Sequence, residues 1–190
     1  MTLFDLLITG SWFIFFFVWL ISAAGAKKDI RKNRHQQHSR VRLLFFIIIV
    51  LFLNPGSLQR LGLAEVHILP SDLYVQVTGV IICAAGIAFA AWAKIHLGKN
   101  WGMPMSQKEN PDLITTGPYH FVRHPIYAGI CMGLLGSAIT EGFSWFLWFV
   151  FISASFIYSA KKEEATMKLN FPEAYIEYMK HTKMIIPFIF

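Results

Sequence analysis

From Leu73 to Ala93 the chain runs without a single charged side chain. About 20 apolar helical residues are what a bilayer core of ~30 Å requires, because every backbone polar group must be satisfied inside the segment. A second run, Leu3 to Ile21, holds one charge, Asp5. The whole chain is 55% hydrophobic and 15% charged over 190 residues, whereas soluble domains carry about 25% charge. These runs exclude an ordinary soluble domain and predict an all-α integral membrane protein. The leader "MTLFD" has no basic residue and the basic cluster follows the apolar run. That is the reverse of a cleavable signal, so the run reads as an uncleaved anchor.

Five apolar segments, at 3–24, 41–53, 73–95, 126–140 and 143–160, predict a polytopic bundle of about five transmembrane helices. Residues 1–190 read as one membrane domain. Three spans fall in 1–95, and 96–190 carries a helical hairpin closed by "TEGFS" with polar stretches on either side. Basic residues orient such a bundle. Sixteen of the seventeen lysines and arginines fall in 25–42, 94–125 and 161–190, and only Arg60 falls opposite. The expected topology is therefore multi-pass, with the N-terminus outside and the C-terminus cytoplasmic. This asymmetry explains the net charge of +6 without nucleic acid, and the cluster at 27–42 also suits anionic lipid headgroups. Gly79, Cys83, Gly86 and Ala90, then Gly129 and Gly133, stand at intervals that let helix backbones approach closely. The two cysteines, Cys83 and Cys131, lie in apolar segments and define neither a disulfide nor a metal framework.

The polar chemistry gathers in two stretches. In "TGPYHFVRHPIYAG", Thr115-Thr116-Gly117-Pro118 reads as a turn. Pro125 suits the first helical position, which makes His124 the expected N-cap. A helix start beside Arg123 offers backbone N–H groups and positive charge to a carboxylate or phosphate. The same residues would also serve a bland interfacial role, with Arg123 snorkelling and Tyr119 and Tyr127 in the aromatic belt. In "KKEEATMKLNFPEAYIEYMKHT", Glu164 and Lys168 make an i,i+4 pair, whereas Glu163 faces Met167. Pro172 is expected to open a short helix with Tyr175 and Tyr178 on its apolar stripe. That helix suits either the headgroup layer or a lid. There is no GxGxxG or Walker stretch after a strand, no HExxH and no GxSxG. His96, His120, His124 and His181 lack metal-ligand spacing, so no metal is expected.

"HLGKNW" at 96–101, "DLITTGPYHFVRHPIYAG" at 112–129 and the stretch at 161–182 together resemble the isoprenylcysteine carboxyl methyltransferase family of membrane enzymes. The resemblance covers the C-terminal half, and its Arg-His-Pro core is shared with phospholipid N-methyltransferases. After Trp101 the segment "GMPMSQKENP" departs from the pattern. The resemblance implies S-adenosylmethionine as cofactor, held without a Rossmann domain at the cytoplasmic ends of the last helices. Leu113, Ile114 and Tyr119 would line its adenosine side, and Arg123 and His124, with Pro125 and Tyr127 beside them, would meet its methionine end. Glu163 and Glu164 would face ribose hydroxyls or cations, with Tyr175 and Tyr178 as lid. Arg123, His124 and Glu163 are the residues implied for catalysis. The expected reaction is carboxyl O-methylation of a lipophilic acceptor, such as a prenylated cysteine, entering from the bilayer. N-methylation of a phospholipid amine, S-methylation of a small thiol, and an NADPH-dependent membrane reductase are the alternatives. A carboxylate acceptor needs no base, and none stands out once His124 is assigned to capping.

Overall fold

A computed structural model describes residues 2–23, 69–70, 72–98, 112–187 and 189. The expected span at 41–53, the basic cluster at 27–42 and the divergent segment after Trp101 lie outside the described residues. The described residues are mostly helical: α1 (Leu3–Ala23), α2 (Leu73–Leu97), α3 (Pro125–Glu141), α4 (Phe143–Asn170) and α5 (Ala174–His181), with a 3-10 turn at Gly117–His120 before α3. By length and composition α1, α2 and α4 are each able to cross a membrane. At 17 residues, α3 measures about 25 Å, a little short of the bilayer core, and it is the most enclosed of the long helices.

Local chemistry sets the helix ends. Asp72 caps α2, its Oδ1 accepting from the Val75 N–H at 3.0 Å, one of the orphan donors of a first turn. Pro125 opens α3 as expected, where its missing N–H costs nothing. The hairpin is tighter than "TEGFS" predicts. Gly142 alone separates α3 from α4, at φ 101°, with its N–H on the Ala138 carbonyl at 3.0 Å. A side chain there would be strained, which is the use of a glycine at this point. The fifth apolar segment also runs further than 143–160 suggests. The 28-residue helix α4 is about 42 Å long, more than the bilayer needs. Its last turns, from Lys161 onward, therefore stand outside the apolar layer and carry Glu163 and Glu164.

The core is built on the pairing of α2 with α3. A Cβ on Gly136 would sit 2.3 Å from the Cys83 nitrogen, and one on Gly86 2.5 Å from that of Gly133. The two backbones touch, which small residues at these intervals permit. Helix α1 closes the third side through Ile8, Trp12 and Phe15, packed with Cys83, Ile87, Ala90 and Leu134. Trp12 is also tied across the core: its indole N–H donates to Ser137 Oγ at 3.0 Å, and its ring stacks on Trp145 at 6.1 Å. A buried indole N–H in an apolar layer needs such a partner.

Candidate functional site

Among the described residues, the polar side chains expected to form the site converge at the end of the bundle where α3 begins and α4 projects. Arg123 and His124 approach it from the turn, Tyr127 from the first turn of α3, and Glu163 and Glu164 from the extension of α4. The Arg123 Nε donates to Glu164 Oε1 at 2.7 Å, and both side chains are less than a tenth exposed. Tyr127 Oη donates to Glu163 Oε1 at 2.6 Å. The imidazole of His124 lies between the two carboxylates, with Nδ1 3.5 Å from Glu163 Oε2 and Nε2 3.5 Å from Glu164 Oε1. These separations are long for hydrogen bonds, and Nε2 is buried without a hydrogen-bond partner.

Two expectations from sequence change here. His124 does stand at the N-cap position of α3, but its side chain makes no capping bond. The ring instead stacks on Tyr127, centroids 5.5 Å apart and planes within 3°, and Tyr127 stacks in turn on Phe156 at 4.3 Å. Offset stacking and the two flanking carboxylates outweigh one exposed-type cap. Glu164, for its part, turns to Arg123 rather than to Lys168. A desolvated, charge-assisted bond is far stronger than an exposed i,i+4 pair. Burial works against the Glu164 charge, but the His124 and Arg123 side chains more than compensate and hold its carboxyl below the ordinary range.

Two backbone donors at the entry to α3, those of Arg123 and His124, are already occupied. The Arg123 N–H bonds the Lys183 carbonyl at 2.8 Å and the His124 N–H that of Met184 at 3.0 Å. A further bond runs from Arg123 Nη1 to the Thr182 carbonyl. Residues 182–184 thus form a strap along the junction, with a parallel bridge between Val122 and Lys183. Thr182 is buried, and its hydroxyl donates to the Tyr178 carbonyl at 2.7 Å. Nothing in the side chains of Thr182, Lys183 and Met184 signals this role, because the strap works through its carbonyls. The only cue is its position directly after the lid helix.

The helix expected to serve as a lid is α5, which begins at Ala174, two residues past Pro172, with Glu173 at its N-cap. Tyr175 is 3% exposed, and Tyr178 donates to the Tyr119 carbonyl. Burial raises both phenols above their ordinary range, Tyr178 to about 12, with the Arg123 charge pulling the other way. Both stay neutral donors at physiological pH. Tyr119 is buried with Ala93 and Ile126, and Ile114 packs against that group. Leu113 lies half-buried in the extended segment before the turn, and Pro125 is fully buried. The structure therefore brings Arg123, His124, Tyr127, Glu163 and Glu164 together. Tyr175 and Tyr178 cover them, and Ile114 and Tyr119 form a separate apolar wall on the α2 side. The cluster sets one guanidinium and the His124 imidazole against two carboxylates; with the imidazole neutral it carries one excess negative charge, which favours a cation.

Comparison with known proteins follows the same half of the chain. A family profile described as phospholipid methyltransferase matches residues 74–174, just over half of the chain and every residue of the Arg123–Glu164 cluster. A relative, the nickel-cobalt-cadmium resistance protein NccN of Alcaligenes xylosoxydans xylosoxydans, is 25% identical over 135 residues, which is 69% of this chain and 60% of that protein. The chain thus spans less than two thirds of the length of that relative.

Proposed function

We propose that this chain, which belongs to the phospholipid methyltransferase family, is an integral membrane enzyme that methylates a lipid-borne amine with S-adenosylmethionine. The single observation that carries this reading is the convergence of Glu163 and Glu164 on the His124 imidazole, with Arg123 as the one fixed positive charge beside two carboxylates. The cofactor fits there by its sulfonium rather than by its carboxylate. A cation is drawn to the acidic pair, whereas the Arg123 and His124 N–H groups are taken up by the strap. The buried, unsatisfied Nε2 of His124 is a further polar atom facing the same space. Ile114 and Tyr119 would form the apolar wall for the adenosine, and Tyr175 and Tyr178 the cover.

When bound, the cofactor supplies an electrophilic methyl group on a positively charged sulfur. The residues supply position and proton handling. Tyr127, clamped between His124 and Phe156, fixes the Glu163 carboxylate, and Arg123 fixes that of Glu164. An ammonium nucleophile must lose its proton before it attacks, and an uncapped His124 flanked by carboxylates is placed to accept it. Closure by α5 excludes water and holds donor and acceptor in line. The basic asymmetry of the sequence supports a site on the cytoplasmic face, at the junction of water and lipid. Phosphatidylethanolamine vesicles and methyl-labelled S-adenosylmethionine provide the test. Label that enters the lipid fraction and survives mild alkali supports an amine. Label released as methanol identifies the carboxyl ester that the isoprenylcysteine resemblance implies, and no transfer from S-adenosylmethionine to any lipid counts against the reading.

A further inference from the structure

Outside the acidic cluster, the last turn of α2 carries His96 against the turn that precedes α3. Its Nε2 is 2.9 Å from Thr116 Oγ1, and its ring stacks on Tyr119, centroids 6.5 Å apart and planes 27° from parallel. Gly117 lies on the imidazole edge. A Cβ there would meet Cε1 and Nε2 at 2.8 Å, and the residue sits at φ +61°. Three successive contacts thus converge on one exposed histidine. The turn in question carries Tyr119, whose carbonyl receives the Tyr178 hydroxyl of α5.

We propose that His96 is a positioning residue that seats the Thr116–Tyr119 turn and, through the Tyr119 carbonyl, docks α5 over the site. The imidazole is the only side chain of α2 that both stacks on the Tyr119 ring and bonds the Thr116 hydroxyl among the described residues. The Tyr178–Tyr119 bond is in turn a direct tie from the turn to the lid. Removing the ring leaves the turn free to shift against α2, and a shift of about 1 Å there breaks a hydrogen bond of ordinary length. The link to catalysis rests on the methyltransferase reading, but the docking of α5 does not.

Two readouts separate them. Hydrogen exchange over residues 174–185 of the purified full chain follows α5 directly. His96→Ala is expected to speed that exchange about tenfold, and His96→Phe, which keeps the stack, about threefold. Thr116→Val, which keeps the shape of the turn and removes only the hydroxyl, is expected to match His96→Phe. In parallel, the dissociation constant for S-adenosylhomocysteine should rise about tenfold in His96→Ala. Unchanged exchange in both His96→Ala and Thr116→Val overturns the proposal, as does uniform acceleration across all helices in the two variants, which marks a general loss of fold. A wild-type chain that binds no S-adenosylhomocysteine refutes the methyltransferase reading alone, and the exchange comparison still decides the role of His96.

Discussion

Arg123→Ala should be among the most destabilising single changes in the polar half of the protein. The guanidinium makes a 2.7 Å bond to Glu164, and the two side chains are 8% and 7% exposed, so solvent screening does little to weaken the pair. Its loss removes that bond and the one to the Thr182 carbonyl, each charge-assisted contact being worth about 1.5–3 kcal/mol. It also leaves the Glu164 carboxylate buried, with His124 Nε2 at 3.5 Å as its nearest cationic candidate. Breaking a buried pair from one side costs about 3–5 kcal/mol. Glu164→Ala should cost about as much, since it strands the arginine. The double variant loses both ions together and leaves neither stranded. A coupling energy of about 2–3 kcal/mol is therefore expected from the double-mutant cycle. Reversible unfolding in mixed micelles, followed by tryptophan fluorescence, measures all four corners. Single variants each costing less than about 1 kcal/mol, and additive in combination, would match an exposed ion pair and refute the buried junction.

Three other expectations concern packing, pH and sidedness. Gly86→Ala should destabilise the bundle by a few kcal/mol, because its Cβ would fall 2.5 Å from the Gly133 nitrogen and the α2–α3 contact is backbone on backbone; an unchanged unfolding midpoint would contradict the pairing. Glu164 is held below its ordinary value, so the stability it contributes is complete above the unfolded glutamate value of about 4.3 and drains away as pH falls through the lower folded value. Wild-type protein should lose stability below about pH 4, and Glu164→Gln should show a weaker fall; identical profiles would refute the assignment. Cysteines placed at the exposed positions Leu69 and Leu169 should react with an impermeant thiol reagent from opposite sides of the membrane, and labelling from one side would overturn the topology.

The spans at 3–24, 73–95 and 143–160 were legible because apolar length is a property of composition, and the start of α3 was legible because proline has few places to go. The tie between α2 and α3 showed in Gly79, Gly86, Gly129 and Gly133, although Gly136, one turn further, carries the closest backbone approach. The partners of the charged residues were harder to read. Sequence neighbours suggested Lys168 for Glu164, but the partner is Arg123, 41 residues away, and burial decides between them. His124 looked like a cap because of Pro125, yet its ring is taken by Tyr127, and stacking partners leave no mark at that spacing. The strap at 182–184 acts through main-chain carbonyls, which every residue possesses. His96 stood out only as a histidine without ligand spacing; its role depends on a turn 20 residues later.

The central claim is that the acidic cluster receives the cationic sulfur of S-adenosylmethionine, and calorimetric titration of the purified protein tests it most directly. Wild-type protein should bind S-adenosylmethionine more tightly than the uncharged S-adenosylhomocysteine, and should show no binding of NADPH. Glu163→Gln keeps the shape of the side chain and removes its charge, so it should weaken S-adenosylmethionine binding by roughly 10- to 150-fold, the equivalent of about 1.5–3 kcal/mol for one charge-assisted contact. Binding of S-adenosylhomocysteine should change much less. Equal affinity for the two sulfur compounds in both proteins, or binding of NADPH alone, would contradict the account.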